Sequence, residues 1–180
     1  MPFCLRRLLF NGLLALVGLL AAWLAALPAL AAKRHALVIG IDHYARITPL
    51  RNAVADAEAV AALARRLGFT LIGGGPLVSG GSAAPDRRLI ERRLRELREA
   101  IEPGDIVLFF FAGHGVSIDG QNYLLPVDFE PPSGSRAQKQ AIIDDAIAET
   151  RVMETLVRQG ARVALAVFDA CRNNPLPAAQ

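Results

Sequence analysis

Two reactive side chains of this chain, an imidazole and a thiol, each follow an apolar run. Phe109-Phe110-Phe111-Ala112-Gly113-His114-Gly115 ends one run, and Val163-Ala164-Leu165-Ala166-Val167-Phe168-Asp169-Ala170-Cys171-Arg172 ends the other. Both runs read as buried strands, so His114 and Cys171 are expected just past strand ends. In an open parallel sheet, neighbouring strand ends lie side by side, and ligands bind along that edge. A thiol and an imidazole brought together there form the minimal unit for nucleophilic attack on a carbonyl.

The neighbours of this pair supply what such an attack needs. The glycines on either side of His114 let the backbone approach closely and adopt unusual angles. The N–H groups of Gly115 and Cys171 are then candidate oxyanion donors, each worth about 3 kcal/mol in a well-aligned hole. Asp169 lies two residues before Cys171, on the same face of a strand. A carboxylate beside a thiolate raises the thiol pKa, so it does not activate the nucleophile. Asp169 makes more sense as a partner for a cationic group on a substrate. Capping of a following turn is the plainer alternative.

The elements that must position these residues alternate along the chain. His35–Ile41 reads as a first strand, and Ala53–Leu67 as an Ala-rich helix stopped by Gly68. Phe69–Ile72 reads as a second strand. Gly73-Gly74-Gly75-Pro76 and Ser79-Gly80-Gly81-Ser82 have loop composition. Arg87–Ile101 is an amphipathic helix with Leu89, Ile90, Leu94, Leu97 and Ile101 on one stripe; its arginines read as a solvated face. Ile106–Phe111 is apolar throughout, as a central parallel strand should be. Asp119-Gly120 marks a hairpin tip, followed by a short strand over Tyr123–Asp128. Pro131–Gln140 is a polar loop, Asp144–Gln159 a helix with Gly160 as its stop, and Arg162–Phe168 the last strand. This order predicts an α/β domain with a mostly parallel sheet flanked by helices.

The first 31 residues stand apart. Arg6 and Arg7 precede an uncharged stretch from Leu8 to Ala32 that ends in Ala29-Leu30-Ala31. Basic, apolar and then small is the pattern of a secretory signal, with cleavage expected after Ala31. The rival reading is an uncleaved inner-membrane anchor through residues 8–27, since about 20 apolar residues span a bilayer. Either way the domain is expected outside the cytoplasm, in the periplasm or beyond. Without Arg6 and Arg7 the net charge falls from +3 to +1, so the basic balance of the whole chain is no argument for nucleic acid. No basic block is interleaved with aromatics. Removal of the leader also removes Cys4 and leaves Cys171 as the one thiol. A lone thiol in an exported protein calls for a reason. Burial as a small hydrophobe is the simplest, and nucleophilic chemistry the sharper one.

Gly113-His114-Gly115 and Asp169-Ala170-Cys171-Arg172 resemble the two catalytic signatures of caspase-like cysteine peptidases, most closely the bacterial metacaspase-like (orthocaspase) branch. Ala36-Leu37-Val38-Ile39-Gly40-Ile41 resembles the family's first strand, and Leu50-Arg51-Asn52-Ala53-Val54-Ala55-Asp56-Ala57 a segment near its substrate pocket, with Ala55 where the family has Asn. Asn122–Asp128 and Cys171–Pro175 resemble the stretches after the histidine and the cysteine. The resemblance implies a catalytic domain over residues 33–180 that lacks the family's C-terminal part, leaving the last strand with an edge open to a C-terminal partner chain or a second copy. It implies Cys171 as nucleophile, His114 as general base and then acid, and Asp56 with Asp169 lining an acidic pocket for the residue before the cut. That pocket suits Arg, which a carboxylate binds bidentately, or Lys. The implied substrate is a polypeptide and no cofactor is required.

Calcium, which many metacaspase-like enzymes need, has Asp144 and Asp145 as candidate ligands, although acids at a helix N-terminus are the simpler account. Asp42, His43 and His35 have no metal-ligand spacing and read as strand-end polar residues. The chief alternative to an endopeptidase is a non-catalytic caspase-like module that binds peptides or dimerises. A thiol redox protein is disfavoured by the absence of Cys-x-x-Cys, and a serine hydrolase by the lack of a Gly-x-Ser-x-Gly elbow.

Overall fold

The computed structural model describes residues 32–131, 138–157 and 159–171, with the backbone only for Gln138 and Cys171. The expected leader or anchor over residues 1–31 lies outside the described residues. Among those residues, no helix is long and apolar enough to cross a membrane. The elements in chain order are β1 (Arg34–Gly40), α1 (Ala53–Arg66), β2 (Thr70–Leu71), β3 (Leu77–Val78), α2 (Arg87–Ala100), β4 (Ile106–Ile118), β5 (Gln121–Leu124), α3 (Gln138–Asp145), β6 (Ile147–Ala148), α4 (Glu149–Val157) and β7 (Val163–Cys171).

Strand β4 is the spine. Its first half pairs in parallel with β1 on one edge, Arg34↔Ile106 through Gly40↔Ala112. On the other edge it pairs in parallel with β7, Ile106↔Val163 through His114↔Cys171. Beyond β1, β2 and β3 join in parallel, one at each end of that strand. The distal half of β4 turns back on itself. Gly115–Ile118 pairs antiparallel with β5, which pairs antiparallel with β6. The tip is Asp119-Gly120, with φ of 51° and 81°. Positive φ at both central residues matches the twist of a two-residue hairpin.

Alternation along the strands sends successive side chains to opposite faces. Leu37, Ile39, Val107, Phe109 and Phe111 meet Leu89, Ile90, Leu94 and Leu97 of α2 and Val152 and Leu156 of α4. Ala36, Val38, Phe110 and Ala112 meet Ala53, Ala57, Ala61 and Ala64 of α1. The α1 face is made of small residues because the helix lies close. A Cβ built on Gly40 would sit 2.5 Å from the Ala53 carbonyl oxygen and 2.6 Å from the Ala57 Cβ. A smaller cluster of Ile47, Val116, Ile118, Tyr123, Leu125, Phe129 and Ile142 supports the hairpin.

The structure departs from the sequence expectations in four places. Strand β4 does not stop at Phe111; it continues through His114 to Ile118, because β7 and then β5 keep its backbone paired after β1 has ended. The strand expected over Tyr123–Asp128 is shorter and earlier, and Leu77–Val78, between the two stretches of loop composition, pairs with β1. The single helix expected over Asp144–Gln159 is two. Ile147 and Ala148 pair with β5 between them, so Asp144 and Asp145 close the last turn of α3 and do not start a helix. Finally, β7 is not buried on both sides. Val163, Leu165 and Val167 are 47%, 54% and 37% exposed on the face shared with α1, because α1 covers β1 and β4 and no described element covers β7 there.

The end of the sheet away from His114 is tied by Asp105. Its carboxylate accepts the amides of Lys33 at 2.9 Å and Glu102 at 2.8 Å. Its carbonyl accepts those of Arg162 and Val163, so one residue joins the starts of β1, β4 and β7. The Glu102 amide in particular holds the Asp105 carboxyl below the usual carboxylate range, with the Lys33 amide and the nearby His35 adding to it. A carboxyl with a lowered pKa stabilises the fold above its unfolded-state value and stops doing so as pH falls through the folded-state value. Asp105→Asn is therefore expected to lower Tm most near neutral pH, with the gap closing below about pH 4. A gap that stays constant from neutral to acid would contradict this role.

Candidate active site

The site forms where β1 ends two rungs before β7 does. After Gly40 the chain leaves the sheet and wraps over the end of β4 before entering α1, and this connection makes three fixed contacts. Asp42 is buried and sets the start of α1. Its Oδ1 accepts the Ala53 amide at 2.8 Å and its Oδ2 the Val54 amide at 3.3 Å. Asn52, at the capping position itself, makes no side-chain cap. Ser79 Oγ in turn accepts the amides of Asp42 and His43. The strand-end reading of Asp42 and His43 thus resolves into a structural one.

Tyr44 and Thr48 make the other two contacts, both to His114. The Tyr44 hydroxyl accepts the His114 amide at 2.7 Å, where a continuing β1 would have offered a carbonyl. The two rings lie 4.9 Å apart, tilted by 49°. Burial pushes the Tyr44 phenol above its ordinary pKa, so it is a neutral hydroxyl. His114 Nε2 lies 2.8 Å from the Thr48 carbonyl oxygen. A carbonyl can only accept, so this contact assigns the proton to Nε2 and leaves Nδ1 unprotonated in the neutral ring. The tight space explains Gly113: a Cβ there would lie 2.6 Å from Tyr44 Oη and 2.8 Å from the Phe111 ring.

The backbone of His114 bonds to Tyr44 on one side of the strand and accepts the Leu125 amide on that same side. By alternation, the N–H groups of Gly113 and Gly115 face the β7 edge. His114 is in register with Cys171 across that edge. Both sequence-selected chemical residues thus stand on adjacent strands at the same level. For Cys171 only the backbone is described.

Asp56 and Asp169, far apart in sequence, line one cleft. Asp56 comes from the first turn of α1 and Asp169 from β7, with Ala112 and Gly113 of β4 between them. Leu50, Arg51, Asn52 and Ala53 complete a space of about 270 Å³. Three participants were not picked out from the sequence as site residues. Thr48 acts through its main chain, which carries no residue-type signal. Tyr44 is an ordinary aromatic near a strand end. Arg51 brings a positive charge into a cleft expected to be acidic. Asp144 and Asp145, candidate calcium ligands, are distant in the chain from this cleft and do not line it; Asp144 accepts a hydrogen bond from Gln140 at 2.9 Å.

Comparison with known proteins follows the same lines. Residues 33–179 match the family model described as the caspase domain. Metacaspase-3 of Arabidopsis thaliana is 29% identical over 161 residues, covering 82% of this chain and 41% of that protein. A probable protease of a Desulfuromonadales bacterium is 29% identical over 164 residues, covering 78% of this chain and 18% of its own. The chain therefore spans less than half the length of these curated relatives. A crystal structure of a Geobacter sulfurreducens protein shares the fold, with a TM-score of 0.57 at 22% identity over 77% of this chain and 50% of that one. The match over nearly the whole folded region places this chain in the caspase-domain family of peptidases.

Proposed function

We propose that this domain is a cysteine endopeptidase that cuts polypeptides after Arg or Lys. The observation that carries the reading is the register of His114 with Cys171 directly beside a cleft lined by Asp56 and Asp169. Nδ1 of His114, left free by the Nε2–H to Thr48 contact, takes the Cys171 thiol proton. The thiolate attacks the scissile carbonyl carbon, and the carbonyl electron pair moves to oxygen. The amides of Gly115 and Cys171 hold that oxyanion. Cys171 stands in the last rung of the β4–β7 ladder and Gly115 is the next residue of β4, so both donors lie at the end of that ladder. The tetrahedral intermediate collapses, the C–N bond breaks, and the imidazolium gives its proton to the leaving amine. Water, deprotonated by the same imidazole, then hydrolyses the thioester and restores the thiol.

Asp56 and Asp169 supply the specificity. Two carboxylates around one cleft disfavour an acidic side chain and pair with a guanidinium or ammonium. Arg51 at the rim offsets part of that charge, so the pocket is less acidic than two carboxylates alone would make it.

The direct test is a peptide panel varied at the residue before the cut, with Cys171→Ala as the control. Cleavage is expected after Arg and Lys, at least tenfold over Asp, and is expected to vanish in Cys171→Ala. Preference for Asp would overturn the specificity. Thiol labelling by an Arg-directed electrophile no faster than that of a free thiol would overturn catalysis and favour the peptide-binding module.

Tyr44→Phe probes the mounting of His114. It keeps the ring and removes the acceptor of the His114 amide, a loss worth about 1 kcal/mol. The expected result is a fall in kcat of about fivefold, with KM within about twofold, since Tyr44 acts through His114 and not through the carboxylate cleft. An unchanged kcat would show that ring packing and Thr48 suffice.

A further inference from the structure

A second cleft opens on the opposite face of the same strand ends. Gly115 and Val116 of β4, Leu124 of β5, Phe168 and Ala170 of β7 and Glu149 at the start of α4 line it. Its space of about 150 Å³ is of the size that, in an apolar interior, accommodates a benzene ring. Leu124, Phe168 and Ala170 belong to the α2–α4 side of the core, whereas Ala53 and Ala112 of the carboxylate cleft belong to the α1 side. Glu149 stands at the rim, where its Oε2 accepts the Asn122 amide group at 2.7 Å.

The two clefts are offset by one residue on β7, where Asp169 lines one and Ala170 the other, and by two on β4, where Gly113 lines one and Gly115 the other, with His114 between them. An extended peptide presents successive side chains on opposite sides. A substrate crossing the strand ends with one side chain in the carboxylate cleft therefore turns its neighbouring side chain toward the other face.

We propose that this second cleft is a subsite for an apolar side chain on a substrate residue adjacent to the basic one, and that the Glu149 carboxylate excludes acidic side chains from it. This rests on the reading of the Asp56/Asp169 cleft as the site for the basic residue. The preferred substrate is a dipeptide step of one cationic and one apolar residue, in either order about the scissile bond.

The test uses the full chain carrying Cys171→Ala, which holds peptides without cutting them. Fluorescent peptides with a fixed Arg carry Gly, Leu or Asp at the position before it in one series and after it in the other. Binding is followed by anisotropy. In one of the two series, Leu is expected to bind at least tenfold tighter than Asp and severalfold tighter than Gly, and the series that responds identifies the side of the scissile bond. Ala170→Leu, which fills the cleft, is expected to erase the advantage of Leu over Gly. Glu149→Lys, at a half-buried position, is the second variant should Ala170→Leu fail to give folded protein, and is expected to bring Asp to within threefold of Leu.

Equal binding of the three peptides in both series, or discrimination untouched by Glu149→Lys, overturns the subsite. The peptidase reading fails separately, when the chain with Cys171 intact binds these peptides with the same discrimination and cuts none of them.

Discussion

The site depends on one mismatch in length: β4 stays paired to β7 for two residues after β1 has left the sheet. Had the three strands ended level, His114 would lie in a loop with no fixed neighbour. Because β7 continues, the backbone of His114 is held in extended form on that edge. Because β1 does not, the opposite edge is open to receive a side chain. The Tyr44 hydroxyl fills that place, and the Thr48 carbonyl takes the ring. A single connection, from the end of β1 to the start of α1, thus supplies the main-chain partner, the ring partner and, through Asp42, the start of the helix that carries Asp56. Pre-organisation here comes from the strand ladder and one well-bonded loop, not from charge.

The tightness of the α1 side has the same origin. Helix and sheet approach until Gly40 leaves no room for a methyl group, and the helix answers with four buried alanines. That spacing fixes how far Asp56 stands from β4. The α2–α4 side uses larger residues and is less constrained, and the second cleft lies on that side.

Much of this was legible in the chain. The apolar runs gave β1, β4 and β7, the 3.6-residue periodicity gave α1 and α2, and the pairing of His114 with Cys171 followed from two strand ends in one parallel sheet. The signal failed where tertiary pairing overrode local pattern. Nothing in Gly113-His114-Gly115 looks like strand, yet it is one, because β7 and β5 supply partners from elsewhere. Ile147-Ala148 would suit a helix by local composition and is held flat by β5. Asp144 and Asp145 looked like a helix start because acids favour that end, but the helix had already run its course before them. Thr48 works through its main chain and leaves no trace in residue type. Asp42 was visible only as a polar residue near a strand end, since the helix it caps begins eleven residues later.

That remote cap has a bearing on how the domain comes together. An ordinary helix start is sealed by a residue beside it and needs only its own turn to be in place. The first amides of α1 are sealed by Asp42, which reaches them only after β1 has docked and the intervening loop has closed. The start of α1 is thus ordered by long-range closure and not by local propensity. In hydrogen exchange the amides of Ala53 and Val54 are therefore expected to open with the loop that bears Tyr44 and Thr48, apart from the remainder of their own helix.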